Sequence, residues 1–120
     1  VQVDEVLGQV FGKAAFRPGQ RQAVDAVMAG RDALVVLPTG GGKSLCYQAP
    51  AVALARAGLG RTIVVSPLIA LMDDQVAALR ERGVRAVALH SGLKGEALSE
   101  AKRQLPTAEI VYVSPERLAS

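Results

Sequence analysis

Apolar residues recur along this chain in two different patterns. From Asp4 to Phe11, the residues Val6, Leu7, Val10 and Phe11 fall at helical spacing, with Asp4 as the predicted cap and Gly12 as the stop. The stretch FRPGQRQAVDAVMAG continues in the same way: Pro18 suits a first helical turn, Val24, Val27 and Met28 share a face, and Gly30 ends it. The pattern then changes to short continuous apolar runs. ALVVLP at 33–38, RTIVVS at 61–66, VRAVALH at 84–90 and EIVYVS at 109–114 predict strands. The segments 43–57, 67–82 and 95–104 predict helices, Gly83 closes the second of these, and PERLAS opens a further helix after the last strand.

Strands that are apolar throughout are buried on both faces, and strands that alternate with helices are joined by right-handed crossovers. The predicted class is therefore α/β, a parallel β-sheet with helices on both faces. In such a sheet, ligands gather at the carboxyl ends of the strands. Residues 1–30 form an N-terminal helical segment and residues 31–120 an α/β lobe. Because the chain starts without Met and stops inside a predicted helix, it is expected to be a piece of a longer protein.

Composition narrows the setting. The 120 residues are 50% hydrophobic, 3% aromatic and 21% charged, which suits one soluble globular domain. No apolar stretch reaches the length of a membrane span, and the acidic N-terminus is unlike a signal peptide. The single cysteine, Cys46, excludes an internal disulfide and a thiolate metal cluster and is expected to pack in the helix after the glycines. A cytoplasmic, nucleoid-associated location in a GC-rich bacterium is the expectation, since ten of the fourteen cations are Arg and Asn is absent. A net charge of +3 permits an anionic partner without requiring one.

The densest chemical signal is LPTGGGKSLCYQ at 37–48. Glycines between a strand and a helix let the backbone turn its amides inward on phosphate oxygens, and the helix N-terminus adds about half a positive charge. Lys43 would reach the β and γ phosphates of ATP, and the Ser44 hydroxyl would hold Mg²⁺. An ordinary flexible turn explains one glycine; three in a row lose about 0.5 to 1 kcal/mol each against Ala with no return unless a ligand fills the space. The strict pattern has glycine where this chain has Leu37. This loop names a ligand class and not a reaction, since kinases, GTPases and motor ATPases all use it.

Two cues narrow the choice. The Gln20 side-chain amide offers one donor and one acceptor, matching N6 and N7 of adenine, although a Gln at a helix start is commonly just solvated. VVSPLIA at 64–70 and YVSPERL at 112–118 both end a strand in Val-Ser-Pro and open a helix. Ser66 and Ser114 are natural N-caps with Pro67 and Pro115 at the first helical position, so capping accounts for either alone. Placed on one sheet edge beside a nucleotide loop, they become two sites for successive phosphates of an extended strand.

FRPGQ, LPTGGGKSLCYQ, VVSPLIALMDDQV and YVSPERL, in this order, closely resemble the N-terminal motor lobe of RecQ-type DNA helicases of superfamily 2, from Phe11 onward. The resemblance implies an incomplete RecA-like lobe of the P-loop NTPase class. It implies that Arg17 and Gln20, with Lys13 beside them, recognise adenine, and that Thr39, Gly40, Gly41, Gly42, Lys43 and Ser44 hold ATP and Mg²⁺, Lys43 being the catalytic residue. Ser66, Pro67, Leu68, Asp74 and Gln75, then Ser114, Pro115, Glu116 and Arg117, would meet DNA. Many relatives carry an aromatic residue where this chain has Lys13, whose methylene stem can cover the adenine face instead.

The family implies a 3′ to 5′ motor on single-stranded and forked DNA, used in repair or recombination, with a second motor lobe in the same chain. Its Asp-Glu-x-His segment for Mg²⁺ and water activation does not occur in these 120 residues, so they are expected to hold ATP without hydrolysing it at a useful rate. Asp73 reads as solvated, and His90 as a capped loop residue and not a base. Arg80, Arg82 and Arg85 either follow a DNA backbone or form a solvated helix end. Tyr47 and Tyr112 are expected to pack, so DNA would be gripped by phosphates, with salt-sensitive binding nearly indifferent to sequence. The alternatives are a small-molecule kinase, for which no acceptor pocket or lid is legible, and a binding module without activity.

Overall fold

The computed structural model describes residues 3–13, 21–22, 24–25, 28, 45–66 and 68–119. The predicted strand at 33–38, the glycine turn, Pro67, and the Pro18 and Gly30 ends of the second predicted helix lie outside the described residues, as do Val27 and the side chain of Cys46. The chain forms two compact units, Val1–Leu59 and Gly60–Ser120.

In the first unit, helix α1 (Val3–Gln9) packs against helix α2 (Leu45–Arg56). The stripe Val6, Leu7, Val10 and Phe11 is buried as its spacing predicts, with Val24 and, on α2, Ala49, Val52 and Ala53. Asp4 is not the cap: α1 begins one residue earlier, and the Asp4 carboxylate accepts a 2.6 Å hydrogen bond from Arg21 Nη1. A carboxylate in the first turn still favours the helix dipole. The Asp4 and Asp25 carboxylates together hold the Arg21 guanidinium above its ordinary pKa, the Asp4 hydrogen bond contributing most. Pro50 lies inside α2 without ending it. A helix-interior proline costs about 3 kcal/mol, which burial of the surrounding Ala49, Ala51 and Val52 offsets.

The second unit is built on a three-stranded parallel sheet of β1 (Thr62–Val65), β2 (Ala86–Leu89) and β3 (Ile110–Val113), in the order β1-β3-β2. This is the parallel α/β arrangement the alternation predicts. Helix α3 (Ile69–Glu81) and helix α4 (Gly95–Gln104) pack on β2, and the short helix α5 (Pro115–Ala119) follows β3. The central strand β3 is buried at all four positions, with Tyr112 only 1% exposed. Val87, Val111 and Val113 form one core cluster with Ala101 of α4 and Ala108. The β1 strand differs from a strand buried on both faces: Ile63 and Val65 are 56% and 49% exposed, and among the described residues β1 pairs on one side alone.

Gly83 ends α3 as expected, and the geometry shows why. It adopts φ +82°, its N–H bonds to Arg80 O, and Val84 N–H reaches back to Leu79 O, both at 3.0 Å. These paired bonds satisfy two carbonyls that a bare helix end leaves open, and the buried Val84 and Leu79 side chains complete the motif. The result is a sharp reversal that feeds β2 back into the sheet beside β3.

Candidate functional site

Register determines what lies together at the carboxyl edge. Val65 is opposite Val113, and Val113 is opposite Leu89. The next residues, Ser66, Ser114 and His90, therefore form a row across three neighbouring strands, spaced about 4.8 Å apart. The backbone continues the ladder into this row: Ser66 N–H donates to Val113 O and Ser114 N–H to Leu89 O, each at 3.0 Å. The two Val-Ser-Pro junctions are thus adjacent, and a third strand end that sequence reasoning set aside stands beside them.

The junctions themselves differ. Ser66 is half-buried, and its hydroxyl accepts a 3.2 Å bond from Leu68 N–H, a tight local turn in place of a helix cap. The helix starts later than predicted, with Leu68, 59% exposed, as the residue before Ile69 and no side-chain cap bond. On α3, Asp74 is exposed and Gln75 half-buried. At the second junction α5 starts directly at Pro115, and Ser114 is buried with no hydrogen-bond partner for its hydroxyl among the described residues. Ser114 therefore does not cap with its side chain either. Pro115 and Glu116 are exposed.

The third strand end is the most closely held. His90 is 5% exposed; its Nδ1 accepts the Gly92 N–H at 3.1 Å, which leaves Nε2 to donate to Asp73 Oδ1, also at 3.1 Å. The capped-loop reading of His90 agrees with this. Asp73 is not merely solvated, since its half-exposed carboxylate carries the His90 bond from α3. Arg117 of α5, half-buried, donates through Nε to His90 O at 3.1 Å and through Nη2 to Leu93 O at 2.9 Å. Nothing in the periodicity marks these partners, which are 17 to 27 residues apart.

The arginine cluster lies elsewhere. Arg85 immediately precedes β2, and Arg80 and Arg82 end α3, so all three stand at the amino edge, opposite the serine row. Arg80 donates to Ala86 O at 2.9 Å and to Gln104 Oε1 at 2.7 Å, and Arg85 Nε to Thr107 O at 2.6 Å. All three are exposed, as the solvated helix-end reading expects, and two of them also brace the fold. Glu109, 1% exposed, also acts here: its Oε1 accepts the Arg85 N–H at 2.9 Å, a role with no sequence signal.

The predicted nucleotide residues Arg17, Gln20, Thr39, Gly40, Gly41, Gly42, Lys43 and Ser44 lie outside the described residues. Lys13 is exposed, its N–H bonded to Leu7 O at 3.1 Å. The helix that follows the glycines, α2, has no carboxylate in its first turn to repel an anion at that end. Among the described residues no three His, Cys, Asp or Glu are grouped to hold a metal, and no helix is long and apolar enough to cross a membrane.

Comparison with known proteins agrees with this geometry. The sequence profile of the DEAD/DEAH box helicase family matches residues 17–120. The chain is 45% identical over 120 residues to the ATP-dependent DNA helicase RecQ of Synechocystis, covering 98% of this chain and 24% of that protein. It is 40% identical over 119 residues to the probable ATP-dependent DNA helicase RecS of Bacillus subtilis, covering 98% and 23%. The chain thus spans about a quarter of these relatives. Among solved structures, a hypothetical ATP-dependent RNA helicase from Sulfolobus tokodaii superposes with a TM-score of 0.71 at 21% identity, over 98% of this chain and 34% of that one, which shows a shared fold.

Proposed function

We propose, on the premise that this chain belongs to the DEAD/DEAH box helicase family, that it is the ATP-binding part of a RecQ-type, ATP-dependent DNA helicase. The whole protein would couple ATP hydrolysis to 3′ to 5′ translocation on single-stranded DNA and to unwinding of forked duplex in repair or recombination. The observation that carries the reading is identity of 40 to 45% across nearly the entire chain to proteins named as ATP-dependent DNA helicases.

In this reading the segment up to residue 30 contributes Lys13, Arg17 and Gln20 around adenine, and residues 31–120 form the partial lobe. Thr39 to Gly42 supply main-chain amides to the triphosphate, and Lys43 sets a mobile positive charge against its β and γ oxygens. Ser44 would hold Mg²⁺, which neutralises phosphate charge when bound. The DNA backbone would lie along the serine row, met by Ser66, Pro67, Leu68 and Gln75 at one junction and by the segment Ser114, Pro115 and Glu116 at the next. Because Ser114 buries its hydroxyl, main-chain N–H groups at the start of α5 would make the contact there. Closure against a second lobe of the same chain would tighten this grip as ATP enters.

Lys43→Ala in the full polypeptide is expected to abolish ATP turnover while the fold, followed by circular dichroism, is kept. Turnover retained in that variant would remove Lys43 from the site.

A further inference from the structure

We propose that Arg117 is a positioning residue for the turn His90–Leu93 and not a phosphate contact, an inference that rests on the DNA-motor reading above. The guanidinium plane presents parallel N–H donors, and here two of them close on two carbonyls of a single turn, His90 O at 3.1 Å and Leu93 O at 2.9 Å. The turn is organised around the same point. Leu93 N–H also bonds to His90 O, at 3.2 Å, and Gly92 N–H bonds to the imidazole Nδ1. A Cβ on Gly92 would lie 3.1 Å from His90 Cε1 and Nδ1, so the ring is seated directly against the glycine backbone. Asp73 fixes the other side of the ring from α3.

Arg117 therefore links α5, which follows the central strand and Ser114, to the strand end of β2. Turning its side chain to a phosphate would strip both carbonyls of a charged donor in a half-buried setting, which is a greater loss than an exposed arginine incurs on binding DNA. Its charge serves the DNA edge through shape, holding the third member of the row level with the other two. The ammonium of a lysine keeps the charge but cannot span both carbonyls as a planar fork does.

The test compares Arg117→Lys and Arg117→Ala in the full polypeptide. Hydrogen exchange across residues 90–94 is expected to accelerate about tenfold in both variants, corresponding to loss of charged hydrogen bonds. Unchanged exchange in both would overturn the clamp. Single-stranded DNA affinity is expected to fall by a similar factor in both, with the wild-type dependence of log K on log salt. One phosphate contact contributes about 0.7 to that slope for single strands. A slope reduced by about 0.7 in Arg117→Ala, with Arg117→Lys binding like wild type, would instead make Arg117 a phosphate contact and overturn the proposal. Should the wild-type protein bind no DNA at all, the motor reading fails, while the exchange result alone still decides whether Arg117 holds the turn.

Discussion

Val65-Ser66-Pro67 and Val113-Ser114-Pro115 are the same tripeptide at the same edge of the same sheet, yet they are built differently. Ser66 folds its hydroxyl back onto Leu68 N–H and delays the helix to Ile69, whereas Ser114 leads directly into α5 with its hydroxyl buried and unpartnered among the described residues. The difference comes from the strands. β1 pairs on one side among the described residues and leaves Val65 49% exposed, while β3 is enclosed by both neighbours and leaves Val113 only 7% exposed. The more exposed strand end spends its hydroxyl on a local turn, and the strand end enclosed on both sides buries it. Local sequence sets the repertoire of a junction, and its place in the sheet selects the outcome.

The sharpest way to break this comparison is to truncate the two valines. Val113→Ala removes methyl groups from the cluster around Ala101 and Val111 and is expected to cost about 2 kcal/mol in denaturant unfolding. Val65→Ala, on the exposed strand, should stay within about 0.5 kcal/mol. Equal costs would mean that β1 is buried as deeply as β3. The serines give the next effect. Ser66→Ala loses the Leu68 bond and is expected to destabilise by about 1 kcal/mol. Ser114→Ala removes a hydroxyl with no bond to lose and should be neutral or slightly stabilising.

Glu100, far from either junction, provides the smallest effect and a control. Hydrogen bonds from Arg103 and Gln104 hold its exposed carboxyl below the usual carboxylate range. A lowered folded-state value means that the contribution is present at neutral pH and disappears as the pH falls through that lowered value. Glu100→Gln should shift the melting midpoint by no more than about 2 °C at pH 7 and by nothing measurable in strong acid. A shift that grew toward acid would reverse the sign of the assignment.

Much of this architecture was legible from the chain. Residues 95–104 form the predicted helix, Gly83 ends α3 where its conformational freedom is needed, and the apolar run at 109–114 contains the central strand. Those features depend on neighbours in sequence. The parts that escaped are pairings between distant residues: Arg117 on the His90 turn, Asp73 on the His90 ring, Glu109 on the Arg85 amide. No period encodes a side chain that bonds to a backbone carbonyl 27 residues away. The arginine cluster is the exposed helix end that one of its two readings described, and only the strand order shows that it lies on the opposite edge from the serines. The motifs, by contrast, were legible as an ordered set and led directly to the helicase family.

The most direct test is the ATP hydrolysis rate of the full polypeptide measured with and without single-stranded DNA. The proposed function predicts a rate that rises on adding DNA and falls back as salt strips the phosphate contacts. An ATPase rate that is the same with and without DNA, at low salt and saturating ATP, would contradict the coupling of the two.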